Sequence, residues 1–123
     1  MASELRVNTL KDASGNNSVA TSTVANGSAK AYAERTDAAT PATVSSFNIA
    51  SLTDTATGKT GYNLTSAMGD TNGPVAGTNT QTSGDLGVMS RYESASQLLT
   101  LTRQTNFSDT DRKVSVIGYG DLA

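Results

Sequence analysis

The sequence predicts an all-β protein, with an extended N-terminal arm over residues 1–30 and a small antiparallel β-sandwich over residues 31–123. Composition is the first observation behind that reading. Thr, Ser, Gly and Asn supply 54 of the 123 residues, whereas Leu, Val, Ile and Phe supply only 21. So small a bulky apolar share accompanies disorder when net charge is large, but here the formal net charge is only −2. The mix suits short strands and frequent turns. Period is the second observation: from residue 44 onward apolar side chains recur at alternate positions, with turn clusters between the runs. Burial is the third. A lone globule of 12.6 kDa would bury roughly two-thirds of its unfolded surface. Much of that surface would be Ala, Thr, Ser and Gly, which return little transfer free energy against the entropy of ordering. Packing between identical subunits is the expected remedy.

In chain order, Leu5-Arg6-Val7-Asn8-Thr9 alternates apolar and polar residues and predicts a short strand. Lys11 to Asn17 follows as a turn cluster. Val19, Val24 and Ala25 are then the apolar points of a Ser/Thr/Asn stretch that cannot build a core alone. Residues 31–43 read equally well as a short helix ended by Pro41, a polar strand or a loop. Phe47 and Ile49 open the period-two region, and Thr57 to Gly61 is a turn. Tyr62, Leu64 and Met68 share a face beyond it. Gly69 to Gly84 reads as a long loop with a short strand around Val75. Leu86, Val88 and Tyr92 share one face, and Leu99 and Leu101 lie opposite Thr100 and Thr102. After a polar turn over Asn106 to Arg112, Val114 and Val116 close one face, with Ile117 and Tyr119 on the other.

Missing residue types narrow the function. Without Cys there is no disulfide framework, thiolate nucleophile or zinc–sulfur site. Without His there is no Ser–His–Asp triad, and neither a His base nor a His metal ligand. No apolar run approaches the ~20 residues of a membrane helix, so no membrane insertion is expected. Met1 to Arg6 lacks the apolar stretch of a secretory signal, and the expected place of synthesis is a cytoplasm. A pI near 4.8 without a Lys/Arg cluster argues against a nucleic-acid partner.

Each motif with chemical overtones has a plainer explanation. Gly58-Lys59-Thr60 resembles the end of a phosphate loop, but Thr53 stands where that pattern needs Gly. A hairpin turn is expected there. Asp70-Thr71-Asn72-Gly73 and Asp109-Thr110-Asp111 present oxygens at alternate positions as calcium loops do, yet Gln81 occupies the twelfth place counted from Asp70. Asx-turn chemistry accounts for both. The 11 acidic residues avoid apolar runs that would raise a carboxyl pKa, so no catalytic pair is expected. The sequons at Asn16, Asn26, Asn63 and Asn106 follow from composition. No catalytic residue, cofactor or metal is predicted, and the protein is expected not to be an enzyme.

The run Ser3 to Ser18, followed by Val19 to Ala31, resembles small tail-fibre-like virion proteins of marine phages, of the cyanophage and pelagiphage type. The likeness resumes at Ser46 to Asp54, at Tyr62 to Met68 and at Gly118 to Ala123, together about half of the chain. Those proteins usually carry Trp where Tyr32 stands, followed by a strand that Ala33 to Asp37 replaces here. Gly69 to Ser96 matches nothing comparable. The resemblance implies a homotrimeric β-rich appendage of a tailed phage, made in the host cytoplasm and carried on the virion. The arm would attach it to other tail or capsid proteins, and the globular region would point away, contributing to attachment to a host surface glycan or protein. Leu5, Val7, Leu10, Val19 and Val24 are the expected trimer-interface residues, and Asn72, Asn79 and Tyr92 the expected receptor-facing loop residues. A capsid decoration protein or head fibre fits the same features. A glycan-binding lectin-like or depolymerase module is the alternative of another class.

Overall fold

The computed structural model describes residues 3, 5–80, 86–104 and 108–123, with the side chain of residue 86 excepted. The final part of the 69–84 loop, Gln81, the sequon at Asn106 and the start of the 106–112 turn lie outside the described residues. Among those described, ten strands and one short helix occur. The protein is all-β, built from antiparallel sheets.

Residues 5–28 do not run as one extended arm. Strands β1 (Thr9–Lys11) and β2 (Ser18–Ala20) pair with each other, Leu10 opposite Val19. The predicted strand over Leu5 to Thr9 lies mostly before this pairing. The turn between β1 and β2 is set by Asp12, whose carboxylate accepts from the Asn16 backbone N–H (2.9 Å) and the Asn17 side-chain amide (2.7 Å). Those bonds, the Asn17 amide foremost, hold the Asp12 pKa below the usual carboxylate value. Helix α1 (Thr21–Gly27) follows without a side-chain N-cap. Thr21 Oγ1 donates instead to the carbonyl oxygens of Val7 and Asn8. At the other end the Lys30 ammonium bonds the Ala25 carbonyl, a cation at a helix C-terminus.

The sandwich contains two four-stranded sheets. One has the order β4 (Thr43–Phe47), β3 (Ala31–Arg35), β10 (Val114–Gly118), β7 (Val75–Asn79). The other has the order β5 (Ile49–Ala56), β6 (Lys59–Leu64), β9 (Gln97–Gln104), β8 (Leu86–Ser94). The ambiguous 31–43 stretch therefore holds an inner strand, β3, with a loop after it. Its alternation places small Ala31 and Ala33 inward, both buried, and Tyr32 outward.

The two sheets meet at both edges of the sandwich without pairing there. On one side the chain passes from β4 directly into β5 through Asn48, whose φ is +58°. Asn tolerates this left-handed conformation better than β-branched or bulky residues do. Its amide donates to the carbonyls of Lys30 and Ser66 (both 3.0 Å), and its Oδ1 accepts from the Ser66 N–H (2.7 Å). On the other side β7 lies against β8. Gly77 permits that approach, since a Cβ there would stand 2.9 Å from a Val88 methyl, and Ser90 Oγ donates to the Val75 carbonyl at 3.1 Å.

The core lies between the sheets: Ala31, Ala33, Tyr62, Leu64, Met68, Tyr92, Leu98 and Val116, with Ile49, Leu52 and Val75 against its margin. Tyr62, Leu64, Met68, Val114 and Val116 sit inside as the alternation predicts. On β9 the inner row is Leu98, Thr100 and Thr102, not the apolar row of Leu99 and Leu101. Leu99 is nevertheless buried, on the outer face beside Lys59, Met89 and Arg91.

Candidate functional surfaces

Antiparallel pairing gives the sandwich two poles. β3 begins and β10 ends at one of them, where the Lys30 N–H donates to the Gly118 carbonyl at 2.9 Å. This proximal pole also holds Ser66 to Pro74, the β8–β9 turn and the C-terminal residues, through the Met68–Leu122 bridge and the Ala123 N–H to Ala67 carbonyl bond. The distal pole carries the 36–42 loop, the Thr57–Gly58 turn and residues 108–113. The N-terminal segment and residues 122–123 thus both join the proximal pole.

Residues 5–28 contain no buried side chain at all. Leu5 is 82% exposed, and Val7, Leu10, Val19 and Val24 lie between 37% and 46%. The structure groups Leu10, Val19 and Val24 on a folded hairpin–helix unit, with Leu5 and Val7 on the chain leading into it. Three candidate receptor-facing residues fare differently. Tyr92 belongs to β8 and is buried in the core, its hydroxyl donating to the Tyr119 carbonyl at 2.8 Å. That bond and apolar packing explain why it cannot face a receptor; burial first, then the Asp70 charge, raises its pKa. Asn79 lies on β7 opposite Val114 and is half-buried, a strand residue instead of a loop residue. Asn72 is exposed in a loop, but at the proximal pole, where Asp70 binds its backbone N–H (2.9 Å) and its side-chain amide (3.1 Å).

Asn72 lines an open cleft of about 530 Å³ between the end of α1 and the proximal pole, with Asn26, Asp70, Pro74, Tyr119 and Asp121. On the outer face of the first sheet, the register aligns Phe47, Tyr32 and Ile117 across β4, β3 and β10. All three are exposed, and the Phe47 and Tyr32 rings stack at 6.1 Å. Strand-by-strand reading misses this row because its members are far apart in sequence.

The nine described carboxylates are all at least partly exposed. Asp109 pairs with Arg103 at 2.9 Å, Glu34 with Lys113 at 2.7 Å, and Asp111 accepts the Gly58 N–H at 2.8 Å. Glu93 pairs with Arg91 at 2.6 Å, and this hydrogen bond is the main reason its pKa falls. Gly58 itself turns the chain at φ +72°, where a Cβ would stand 2.7 Å from the Thr102 carbonyl oxygen and the Thr110 nitrogen. That is a hairpin turn, with Lys59 already in strand β6.

The distal interior is polar. Arg35, Thr60, Thr100 and Thr102 are all at most 1% exposed. Thr100 Oγ1 bonds the Tyr62 hydroxyl at 3.3 Å, while Thr102 Oγ1 donates to the Gly58 carbonyl at 3.1 Å and bonds the Thr110 carbonyl. Burial pushes the Tyr62 phenol pKa up, against the opposing pull of Thr100 and the Arg35 charge. Nothing in the sequence reading singles out Arg35. Its one signal is parity with Ala31 and Ala33 on β3.

Comparisons of the chain with protein-family models, with curated proteins and with solved structures give no match.

Proposed function

We propose that the chain is a structural virion protein of a tailed phage, a homotrimeric fibre-like appendage held by its N-terminal segment and displaying its sandwich. One observation carries the reading: within residues 5–28 a strand pair and a short helix form without burying a side chain, while the segment presents Leu5, Val7, Leu10, Val19 and Val24. An isolated two-stranded hairpin is marginal in water, and a seven-residue helix falls below the ~12 residues at which even good helix formers persist alone. Neighbouring copies, or the virion proteins that the segment docks on, supply the missing burial.

Display then falls to the distal pole, not to Asn72 or Tyr92. Its described loops, Thr36 to Ala42 and Ser108 to Lys113, offer Asp37, Thr40 and Asp109 to a host glycan or protein. Engaged, partly exposed carboxylates support a non-enzymatic role, since a general acid on a glycan needs a raised carboxyl pKa.

Native mass tests the proposal. The full chain should sediment at three times 12.6 kDa, and removing residues 1–27 should give monomers that retain the sandwich's cooperative melt. A monomeric full chain, or a truncated chain that still forms trimers, refutes the role assigned to the segment.

A further inference from the structure

The distal interior holds an excess of positive charge and of hydrogen-bond donors. Arg35 is 0% exposed, yet among the described residues no acceptor meets full hydrogen-bond geometry with its Nε, Nη1 or Nη2, and the nearby Tyr62 hydroxyl, which feels its charge, is neutral. The Arg112 Nε, buried just before β10, likewise has no partner among the described residues. An isolated ion in a medium of low dielectric is so costly that buried charges in proteins are paired. A guanidinium cannot escape by losing its proton. Of the described carboxylates at this pole, Glu34 is committed to Lys113, Asp109 to Arg103 and Asp111 to the Gly58 N–H, while Asp37 is exposed in its loop.

The neighbouring hydroxyls add donors. Tyr62 accepts from Thr100, which leaves its own hydrogen to give. Thr102 spends its hydrogen on backbone carbonyls. Ionised Tyr62 would neutralise Arg35, but its burial disfavours the phenolate. Water would satisfy N–H groups without balancing the charge.

We propose that Arg35 holds a small inorganic monoanion of halide size inside the distal end of the sandwich, with the Tyr62 hydroxyl as a further donor. Arg35, its β10 register partner Val114 and the Thr60, Thr100 and Thr102 side chains are all buried, and such burial favours a small halide over sulfate or phosphate. The site is a structural counter-ion, tying the two sheets together where the core lacks apolar residues. It does not depend on the assembly proposed above.

Thermal melts of the full chain test it, in sodium chloride replaced stepwise by sodium gluconate at constant ionic strength. Above half-saturation, the midpoint should rise by about 5 °C per tenfold increase in chloride. Bromide should substitute for chloride, and Arg35→Met should abolish the dependence. A midpoint indifferent to chloride, or an equal dependence in Arg35→Met, overturns the proposal. Should that variant fail to fold, crystals of the unaltered chain grown in bromide decide. An anomalous peak within hydrogen-bond reach of Arg35 supports the site, and ordered water alone in that place refutes it.

Discussion

The N-terminal segment and the sandwich are built from the same short strands and the same Ser/Thr-rich residues, but they solve burial in opposite ways. In the sandwich, Val114, Val116, Tyr62 and Leu98 reach 0% exposure because two sheets face each other. In residues 5–28 the backbone pairs over three residues each of β1 and β2, and no residue is buried. Backbone hydrogen bonds replace bonds to water and contribute little net stability each. The difference teaches that pairing gives shape and burial gives persistence. A segment with only the first must gain the second from outside.

The largest test of this contrast places one charge in each region. Val116→Asp leaves an unpaired carboxylate among Ala33, Leu98 and the rest of the core, and should cost about 4 kcal/mol or more, abolishing the cooperative melt. Val24→Asp, on an exposed helix, should leave the sandwich's melt within about 0.5 kcal/mol of the parent while weakening the proposed trimer in sedimentation. A Val24→Asp chain that unfolds like Val116→Asp would erase the distinction.

A smaller effect sharpens it at the β4–β5 corner. Asn48→Ala removes three side-chain hydrogen bonds and puts Ala at φ +58°, with an expected cost of about 2–3 kcal/mol in denaturant unfolding. Asn48→Gly should recover part of it, because the strain is relieved and the bonds are not. Equal losses would mean that the turn conformation matters little.

The smallest effect appears in alkali. Tyr62 and Tyr92 have folded-state pKa values above the ordinary 10.0, chiefly through burial. The folded state therefore holds protons that the unfolded state has released, and stability falls as pH rises above about 10. Ultraviolet titration should show these two tyrosines ionising late and together with unfolding. In Tyr62→Phe the late step should shrink by one group.

Much of this architecture was legible where hydrophobic alternation is unambiguous. Val114-Ser-Val116 and Tyr62-Asn-Leu64 pointed inward as their period requires. β9 misled because Leu98-Leu99-Thr100-Leu101-Thr102 carries apolar residues at both parities, and the polar distal interior selected the threonine row. β3 was hidden because its inward residues are alanines and one arginine, with no bulky signature. Tyr92 looked available because an aromatic in a polar stretch resembles a binding residue; the Tyr119 carbonyl that satisfies its hydroxyl is 27 positions away. Asn48 sat within an alternating run that gave no sign of the change of sheet. The exposed apolar points of the first 30 residues were readable individually, whereas their grouping on a hairpin and helix was not.

The Asn48 side chain also fixes where the root of the N-terminal segment meets the stretch that holds Ala123. It bonds the carbonyls of Lys30 and Ser66, and the adjacent Ala67 carbonyl receives the Ala123 N–H at 3.0 Å. A fluorophore or peptide tag fused behind Ala123 would therefore emerge beside the root of the N-terminal segment, and would report on, or obstruct, whatever anchors the molecule. Cargo meant for the opposite tip has to be grafted into the 36–42 loop, where a circular permutant could also be opened.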